Sequence, residues 1–235
     1  MWYPENKDKL IKFIEDSFNQ DIDIKLKKIN GLVVPHAGYE YSGNIAGKAF
    51  SLLKNEKIEK AIILGPSHYI PINKPLTTDK KEIKTPLGSI KTFNLGFIEE
   101  NIDKEHSINN QIPFLQYLGI KEILPLMIGD ITKEKAKEIA LKISEVPAIY
   151  IFSTDLSHFL KYEDAKSTDL GTIHILESMN SDLLSSIEAC GYYPLMILLE
   201  LCKIKKTKLH LIEYKNSGDV TGDKSQVVGY ASFWF

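Results

Sequence analysis

The chain alternates short apolar runs with longer segments in which apolar residues recur every three or four positions. Unbroken apolar runs are typical of strands that are buried on both faces of a sheet. We predict such strands at 29–34, 61–64, 123–127 and 148–152. The helical spacing predicts helices at 7–18, 44–53, 107–118, 132–143, 162–179 and 193–201.

The order of these segments predicts the fold class. Strands separated by helices indicate an α/β layered sheet with a mostly parallel centre. The segments 208–214 and 226–235 read as antiparallel strands joined by a turn-rich stretch, and 71–95 reads as an irregular excursion at the rim. We therefore predict a single domain over residues 1–235, with antiparallel strands at the edges of its sheet.

Three residues predict local features of the helices. Ser42 and Thr132 each stand just before a predicted helix, where a hydroxyl can accept a hydrogen bond from a free backbone N–H group. Pro113 lies inside the predicted helix 107–118 and is expected to distort it.

Composition restricts the function classes. The net charge of −2 gives no reason to expect nucleic-acid binding, and all 29 basic residues are lysines, so the chain has no guanidinium group for binding anions. Two cysteines are too few for a disulfide framework. No apolar run is long enough to span a bilayer. We expect a soluble, cytoplasmic protein without a membrane segment.

Two histidines directly follow predicted strands. His36 comes after the apolar run that ends at Pro35, and His68 ends a Gly-Pro-Ser-His sequence after the strand 61–64. Ligands of open α/β sheets lie beyond the carboxyl ends of the strands. A single loop histidine is more often a structural, hydrogen-bonded residue, but the repeated position favours a shared site.

Asp155 and His158 follow the predicted strand 148–152 in the same way. If a helical turn begins there, both side chains point in one direction, and the carboxylate would orient the imidazole as a general base. An N-cap aspartate beside a surface histidine explains this segment equally well when it is taken alone.

Cys190 precedes Gly191 at the entry to a predicted helix, whose positive end would favour a thiolate. Together with His36 and His68 it would supply two imidazoles and one thiolate. That set suits zinc, copper or iron and leaves coordination positions open. Cys202, within an apolar helix, is predicted to be buried and inert.

The remaining histidines carry weaker signals. His106 stands at a predicted helix start, His174 inside a predicted helix and His210 inside a predicted strand. From the residues alone, all three are interpreted as structural. The chain also lacks a Gly-x-Ser-x-Gly elbow and a His-Glu-x-x-His pair, which argues against the usual serine hydrolases and zincins.

Several short motifs occur together in one order. They are Pro-His-Ala-Gly-Tyr at 35–39, Gly-Pro-Ser-His at 65–68, Glu-His-Ser-Ile at 105–108, Ser-Thr-Asp-Leu-Ser-His at 153–158 and Cys-Gly-Tyr-Tyr-Pro at 190–194. With this combination the chain resembles the Memo family, named after a mediator of ErbB2-driven cell motility. The resemblance runs from Trp2-Tyr3-Pro4 to Gly229-Tyr-Ala and covers essentially the whole chain.

The resemblance implies a fold like that of class III extradiol dioxygenases. It implies an iron or copper site at His36, His68 and Cys190, while the donor set by itself leaves zinc possible. It also places Asp155 and His158 at the motif next to that site, where the dioxygenases have a histidine base. It also implies that Trp2, Tyr39 and His106 line the same cleft, with His106 among the catalytic candidates. The predicted partners are a small molecule or peptide and, by similarity to protein B of the prokaryotic AmmeMemoRadiSam system, a radical-SAM enzyme and a third small protein.

Three functions follow from these expectations. The first is a metal-dependent redox protein or oxidoreductase in which His158, oriented by Asp155, moves protons. The second is a non-catalytic protein that binds a peptide or a partner protein in a formerly catalytic cleft. Cys190 stands where ring-cleaving dioxygenases use a carboxylate, and this exchange would mark the loss of catalysis. The third is a zinc-dependent hydrolase with Asp155 or His158 as its base.

Overall fold

Within the described residues, a central sheet of eleven strands organises the molecule, with the strand order β10-β11-β1-β8-β2-β7-β3-β6 along its main path. A computed structural model describes residues 2–20, 22 and 28–235. The strands are β1 (Gly31–Val34), β2 (Lys60–Pro66), β3 (Leu76–Thr78), β4 (Glu82–Thr85), β5 (Gly88–Thr92), β6 (Ile98–Glu100), β7 (Glu122–Ile128), β8 (Ile149–Ser153), β9 (His158–Leu160), β10 (His210–Asn216) and β11 (Val227–Trp234). The helices are α1 (Lys7–Phe18), α2 (Asn44–Ser51), α3 (His106–Asn109), α4 (Ile112–Tyr117), α5 (Lys133–Ser144), α6 (Tyr162–Glu177), α7 (Tyr192–Lys205) and α8 (Ser217–Thr221).

The centre of the sheet is parallel and its flanks are mixed. β1, β8, β2 and β7 pair in parallel. β11 joins β1 and β10 in antiparallel fashion, and β3 joins β7 in the same way. The predicted α/β class, with a mostly parallel centre and antiparallel edges, is therefore confirmed.

The core lies in two layers, one on each face of the sheet. Successive strand residues point to opposite faces, so Val33 joins the layer under α5 and α7, whereas Leu32 and Val34 join the layer under α1, α2 and α4. Because both faces of the central strands are covered, those strands read as unbroken apolar runs in the sequence.

Most predicted elements begin and end within a few residues of the observed ones, and the exceptions have local causes. The predicted helix 107–118 is two short helices, α3 and α4, and Pro113 occupies the first turn of α4, where its missing N–H group costs nothing. Thr132 caps α5 as predicted, since its side chain accepts a hydrogen bond from the N–H of Lys135.

The predicted cap at Ser42 is wrong. A π-helical turn at Tyr39–Gly43 runs directly into α2, so that Ser42 lies inside helical structure. Its hydroxyl donates to the carbonyl of Ala37 at 3.1 Å. π-helical turns are often found at functional sites, and this one follows His36.

No helix among the described residues combines the length and the apolar character needed to cross a membrane.

Candidate metal centre

His36 follows the carboxyl end of β1 and is 1% exposed. Its Nδ1 lies 2.8 Å from the Ser153 hydroxyl oxygen at the end of β8. Burial, joined by the nearby charge of His68, lowers the pKa of His36 well below its ordinary value. The imidazole is therefore neutral at pH 7, which is the form that binds metals, and its Nε2 is left for a ligand.

His68 follows β2 and is held by Glu105, which caps the start of α3. Glu105 accepts hydrogen bonds from Nδ1 of His68 at 2.8 Å, from the backbone N–H of His68 at 2.8 Å and from the N–H of Ser107 at 3.0 Å. Burial opposes ionisation of Glu105, but these hydrogen bonds outweigh it and lower its pKa to about 2. A carboxylate that accepts from Nδ1 fixes the ring and leaves Nε2 free as a metal ligand.

Cys190 lies just before α7 and forms two hydrogen bonds with the backbone of Asp155. The N–H of Asp155 donates to the Cys190 Sγ at 3.2 Å, and the N–H of Cys190 donates to the carbonyl of Asp155 at 3.2 Å. Burial and the charge of Asp155 raise the pKa of the thiol. The expected thiolate at the helix entry is therefore wrong for the metal-free chain, because burial and the charge of Asp155 favour the protonated thiol. Metal binding would have to release the thiol proton.

The ligand atoms of His36, His68 and Cys190 all lie within 4.8 Å of one another. Nε2 of His36 and Sγ of Cys190 are 3.3 Å apart. Bond lengths near 2.0–2.3 Å place ligand atoms roughly 3.3–3.8 Å apart around a tetrahedral metal, so small side-chain movements bring all three to one ion. These residues fit a metal, and their N, N, S set admits iron, copper or zinc.

A second group within the same distance limit consists of His68, Glu105 and His106. Both oxygens of Glu105 already accept hydrogen bonds, including two from His68. Glu105 is thus placed to orient His68 and not to bind the ion itself. The set with Cys190 is the better metal site.

The ring of His106 packs against the rings of both candidate ligand histidines. Its ring centroid is 4.4 Å from that of His68 and 5.3 Å from that of His36. Its other neighbours are the Trp2 ring, stacked on it at 4.0 Å, and the Tyr69 hydroxyl, 3.1 Å from its Nδ1. Burial first, then the charges of His36 and His68, lower the pKa of His106 to about 4. His106 and Trp2 therefore lie side by side next to the candidate ligands.

Tyr39 is placed differently from the prediction. Its ring is buried in the core against Phe114, with centroids 4.8 Å apart, and its hydroxyl donates to the carbonyl of Asn110 at 2.8 Å. The π-helical turn that starts at Tyr39 directs this side chain inward. Tyr39 supports the loop after His36 and does not form an open cleft wall.

The contacts of Asp155 also differ from the predicted ones. The stretch 154–157 forms no helical turn, and His158 begins the exposed strand β9. Asp155 Oδ1 accepts from the backbone N–H of His36 at 2.7 Å. Among the described residues, Asp155 and His158 share no hydrogen bond. Asp155 therefore holds the His36 loop and Cys190, and the idea that it orients His158 through a helical turn is wrong.

A profile of Memo-like proteins matches residues 1–234. The chain belongs to the Memo family. It is 33% identical to a MEMO1 family protein of Thermoplasma volcanium, over 98% of this chain and 94% of the relative. It is 35% identical to one of Methanobrevibacter smithii, over 99% of this chain and 95% of the relative. The Aquifex aeolicus protein is 32% identical over 100% of this chain and 96% of its own length.

A likeness to a solved structure supports the fold alone. An uncharacterized protein of Escherichia coli K12 superposes with a TM-score of 0.52 at 8% sequence identity, covering 87% of this chain and 99% of that chain. The shared architecture is consistent with the layered α/β sheet.

Among the described residues, the other two histidines and the second cysteine belong to neither candidate ligand group. His174 is exposed on α6, and His210 stacks on Trp234 with ring centroids 4.4 Å apart on the edge strand β10. Cys202 is fully buried in the core, as predicted.

Sequence reasoning missed the groups behind the candidate ligands. Ser153 contacts His36, and Gln111 donates to the Ser153 hydroxyl at 3.0 Å. Glu105 accepts a hydrogen bond from Nδ1 of His68. These partners are far apart along the chain, so only the position of Glu105 beside His106 carries any signal.

Proposed function

We propose that the protein binds iron or copper through His36, His68 and Cys190 and acts as a redox protein, an oxidoreductase on a small molecule. The observation that supports this most strongly is the approach of three ligand atoms from three separate segments to within 4.8 Å. Two imidazoles and a thiol are donors that suit redox metals. Iron or copper bound there would supply one-electron transfer and would polarise a bound group.

The side chains around the ligands have distinct parts in this proposal. Glu105 and Ser153 fix the rings of His68 and His36 through Nδ1, so that Nε2 of each ring would be left to hold the ion. With its pKa lowered to about 4, His106 is neutral at pH 7 and serves as a wall of the cleft. His158 is exposed at the start of β9 and is the residue that we assign to proton transfer to or from a bound substrate.

Metal analysis of protein purified without oxygen tests the proposal. We expect about one iron or copper ion per chain, with an electron paramagnetic resonance signal from Fe(III) or Cu(II) after oxidation with ferricyanide, and we expect the metal to be lost in His36→Ala, His68→Ala and Cys190→Ser. His174→Ala removes an exposed histidine of α6 and serves as the matched control, which should keep the metal. Retention of the metal in His36→Ala would overturn the site. Zinc as the bound metal would favour a hydrolase with Asp155 or His158 as base.

A second function, docking of a peptide or partner protein, is favoured by exposed apolar side chains beside the site. Trp2, Tyr69 and Phe159 are 42%, 53% and 68% exposed. Tyr69 also lines a cavity of about 240 Å³ together with Ile70 and Met127. Large exposed apolar groups gathered at one place often mark an interaction site.

Binding assays separate this function from the first. The radical-SAM enzyme and the third small protein expected from the family resemblance are the proteins to use as baits. Binding that survives His36→Ala but is lost in Phe159→Ser would favour docking. Binding lost in His36→Ala, together with metal-dependent turnover in the wild type, would favour the redox protein.

A further inference from the structure

Asp169, on α6, is a fully buried carboxylate that the proposed chemistry does not use. Among the described residues, no lysine or histidine forms an ion pair with it. A buried carboxylate is costly unless hydrogen bonds compensate its lost hydration. Its presence therefore needs a local reason.

Two hydrogen bonds stabilise this carboxylate, and the absence of a side chain at Gly229 leaves room for it. Oδ1 accepts from the backbone N–H of Ser157 at 2.9 Å, and Oδ2 accepts from the Tyr214 hydroxyl at 2.9 Å. Gly229 of β11 lies against it, and a Cβ at that position would overlap the carboxylate. Burial raises the pKa of Asp169, while the hydrogen bonds and the charge of His158 act in the opposite direction.

Ser157 belongs to the segment between the candidate metal ligands and His158. The N–H of Leu156 donates to the carbonyl of Gly229 at 2.8 Å, and the N–H of Gly229 donates to the carbonyl of Ser157 at 2.9 Å. Asp155, at the start of the segment, holds His36 and Cys190. The segment is thus clamped between β11 on one side and Asp169 on the other.

The end of this segment has an unfavourable backbone. Phe159 has a φ of 60°, in the left-handed region, although it is neither glycine nor asparagine. The pairing of β9 with β11 also shifts register between Val227 and Val228. Such conformations persist only where the surrounding structure fixes them, and they are frequent at functional sites.

We propose that Asp169 is a positioning residue of the metal centre: through Ser157 it fixes the segment that carries Asp155 at one end and His158 at the other. The roles of the metal and of His158 in this inference rest on the proposed function. The anchoring of the segment rests on the contacts of Asp169 alone.

Amide hydrogen exchange in the full-length, metal-free chain tests the anchoring. Asp169→Ala removes the acceptor of the Ser157 N–H, and we expect exchange of that amide to become roughly 10- to 100-fold faster. Asp169→Asn keeps an oxygen acceptor of the same shape and should restore protection to within about threefold. Ile173→Val, in the core on the same helix, is the matched control that lowers stability without touching the segment.

Cobalt(II), used as the probe metal, tests the positioning. We expect Asp169→Ala to bind cobalt roughly 10-fold or more weakly and with an altered absorption spectrum, and Asp169→Asn to restore both. If Asp169→Ala lowers only the melting temperature, as Ile173→Val does, with Ser157 exchange and the cobalt spectrum unchanged, the inference is overturned.

Two further outcomes keep the inference separate from the proposed function. If the wild-type chain binds no cobalt, the proposed function fails, while exchange at Ser157 still decides whether Asp169 anchors the segment. If Asp169→Ala does not fold, Tyr214→Phe removes the second hydrogen bond alone. Faster exchange at Ser157 in that variant supports the inference, and unchanged exchange overturns it.

Discussion

At the scale of single residues, the hydrogen bonds from His68 to Glu105 predict how firmly the proposed site holds a metal. Glu105→Gln keeps the shape but loses the charge and one acceptor oxygen, so the His68 ring is held less firmly. We expect the affinity for cobalt(II) to fall roughly 10- to 100-fold. Spectroscopic titration measures it, with Glu100→Gln at the exposed end of β6 as the control. Equal affinity in both variants would show that Glu105 does not orient the ligand.

The pKa of His106 predicts a pH dependence of stability in the metal-free chain. It is about 4 in the folded protein, whereas a free histidine has a value near 6.5. Between these values the unfolded chain takes up a proton that folded His106 does not, so stability is full above about pH 6.5 and falls toward pH 4.

His106→Gln should therefore flatten this loss. We expect the difference in free energy of unfolding between pH 7.5 and 4.5 to shrink by on the order of 1–3 kcal/mol. Part of the slope should remain, because burial lowers the pKa of His36 as well. Urea unfolding at both pH values is the measurement, and His174→Gln on the exposed face of α6 is the control. An unchanged slope in His106→Gln would show that the pKa of His106 is not lowered in the folded chain.

At this scale, the site residues that can be predicted from sequence are those whose position is marked by a neighbouring pattern, such as the end of an apolar strand. His36 and His68 each follow an apolar strand, so their approach to one another could be predicted. Ser153 and Asp169 support the site through contacts between distant segments. Nothing in their own sequence neighbourhood distinguishes them from other buried polar residues.

At the scale of elements, the fit of α3 on β2 holds Glu105 against His68. Gly65 of β2 lies so close to Ser107 that a Cβ there would overlap it, and Ser107 also donates to the carbonyl of Pro66 at 2.8 Å. We expect Gly65→Ala to push α3 away, to destabilise the fold by about 1–3 kcal/mol and to weaken metal binding.

Gly171→Ala is the matched substitution on α6. Among the described residues, and apart from its chain neighbours and the backbone of its own helix, no atom lies within 4 Å of a Cβ at that position. Alanine should therefore stabilise the helix by up to about 1 kcal/mol and leave metal binding unchanged. Thermal unfolding and a cobalt titration of both variants are the measurements. A Gly65→Ala protein as stable as the wild type would contradict close packing of α3.

The positions of helices and strands could be predicted from the local hydrophobic pattern wherever the tertiary packing kept the structure that this pattern favours. α1 was predicted at its observed bounds, because Asn6 caps a regular amphipathic segment. The π-helical turn at Tyr39–Gly43 and the short helix α8 were missed. Both depend on how a loop packs against the sheet, and hydrophobic spacing does not record that.

At the scale of the whole molecule, metal binding and folding should be coupled. His36, His68 and Cys190 are far apart along the chain and meet only in the folded state. A metal at a thousandfold excess over its dissociation constant should therefore stabilise the protein by about 4 kcal/mol. Calorimetry with and without cobalt(II) checks this, and His36→Ala should remove the gain. An equal gain in that variant would place the metal elsewhere.

By itself, the sequence determined the fold class, the order of its strands along the chain and the strand-end positions of His36 and His68. Those features depend on the spacing of hydrophobic residues along the chain. That spacing is local, because it reflects which faces of each strand and helix are buried. Only the tertiary structure decided that Asp155 serves His36 and Cys190, that Glu105 holds His68 and that Tyr39 is buried. These partners are chosen by hydrogen bonds between segments distant in sequence, and such bonds depend on the packed sheet that brings the segments together.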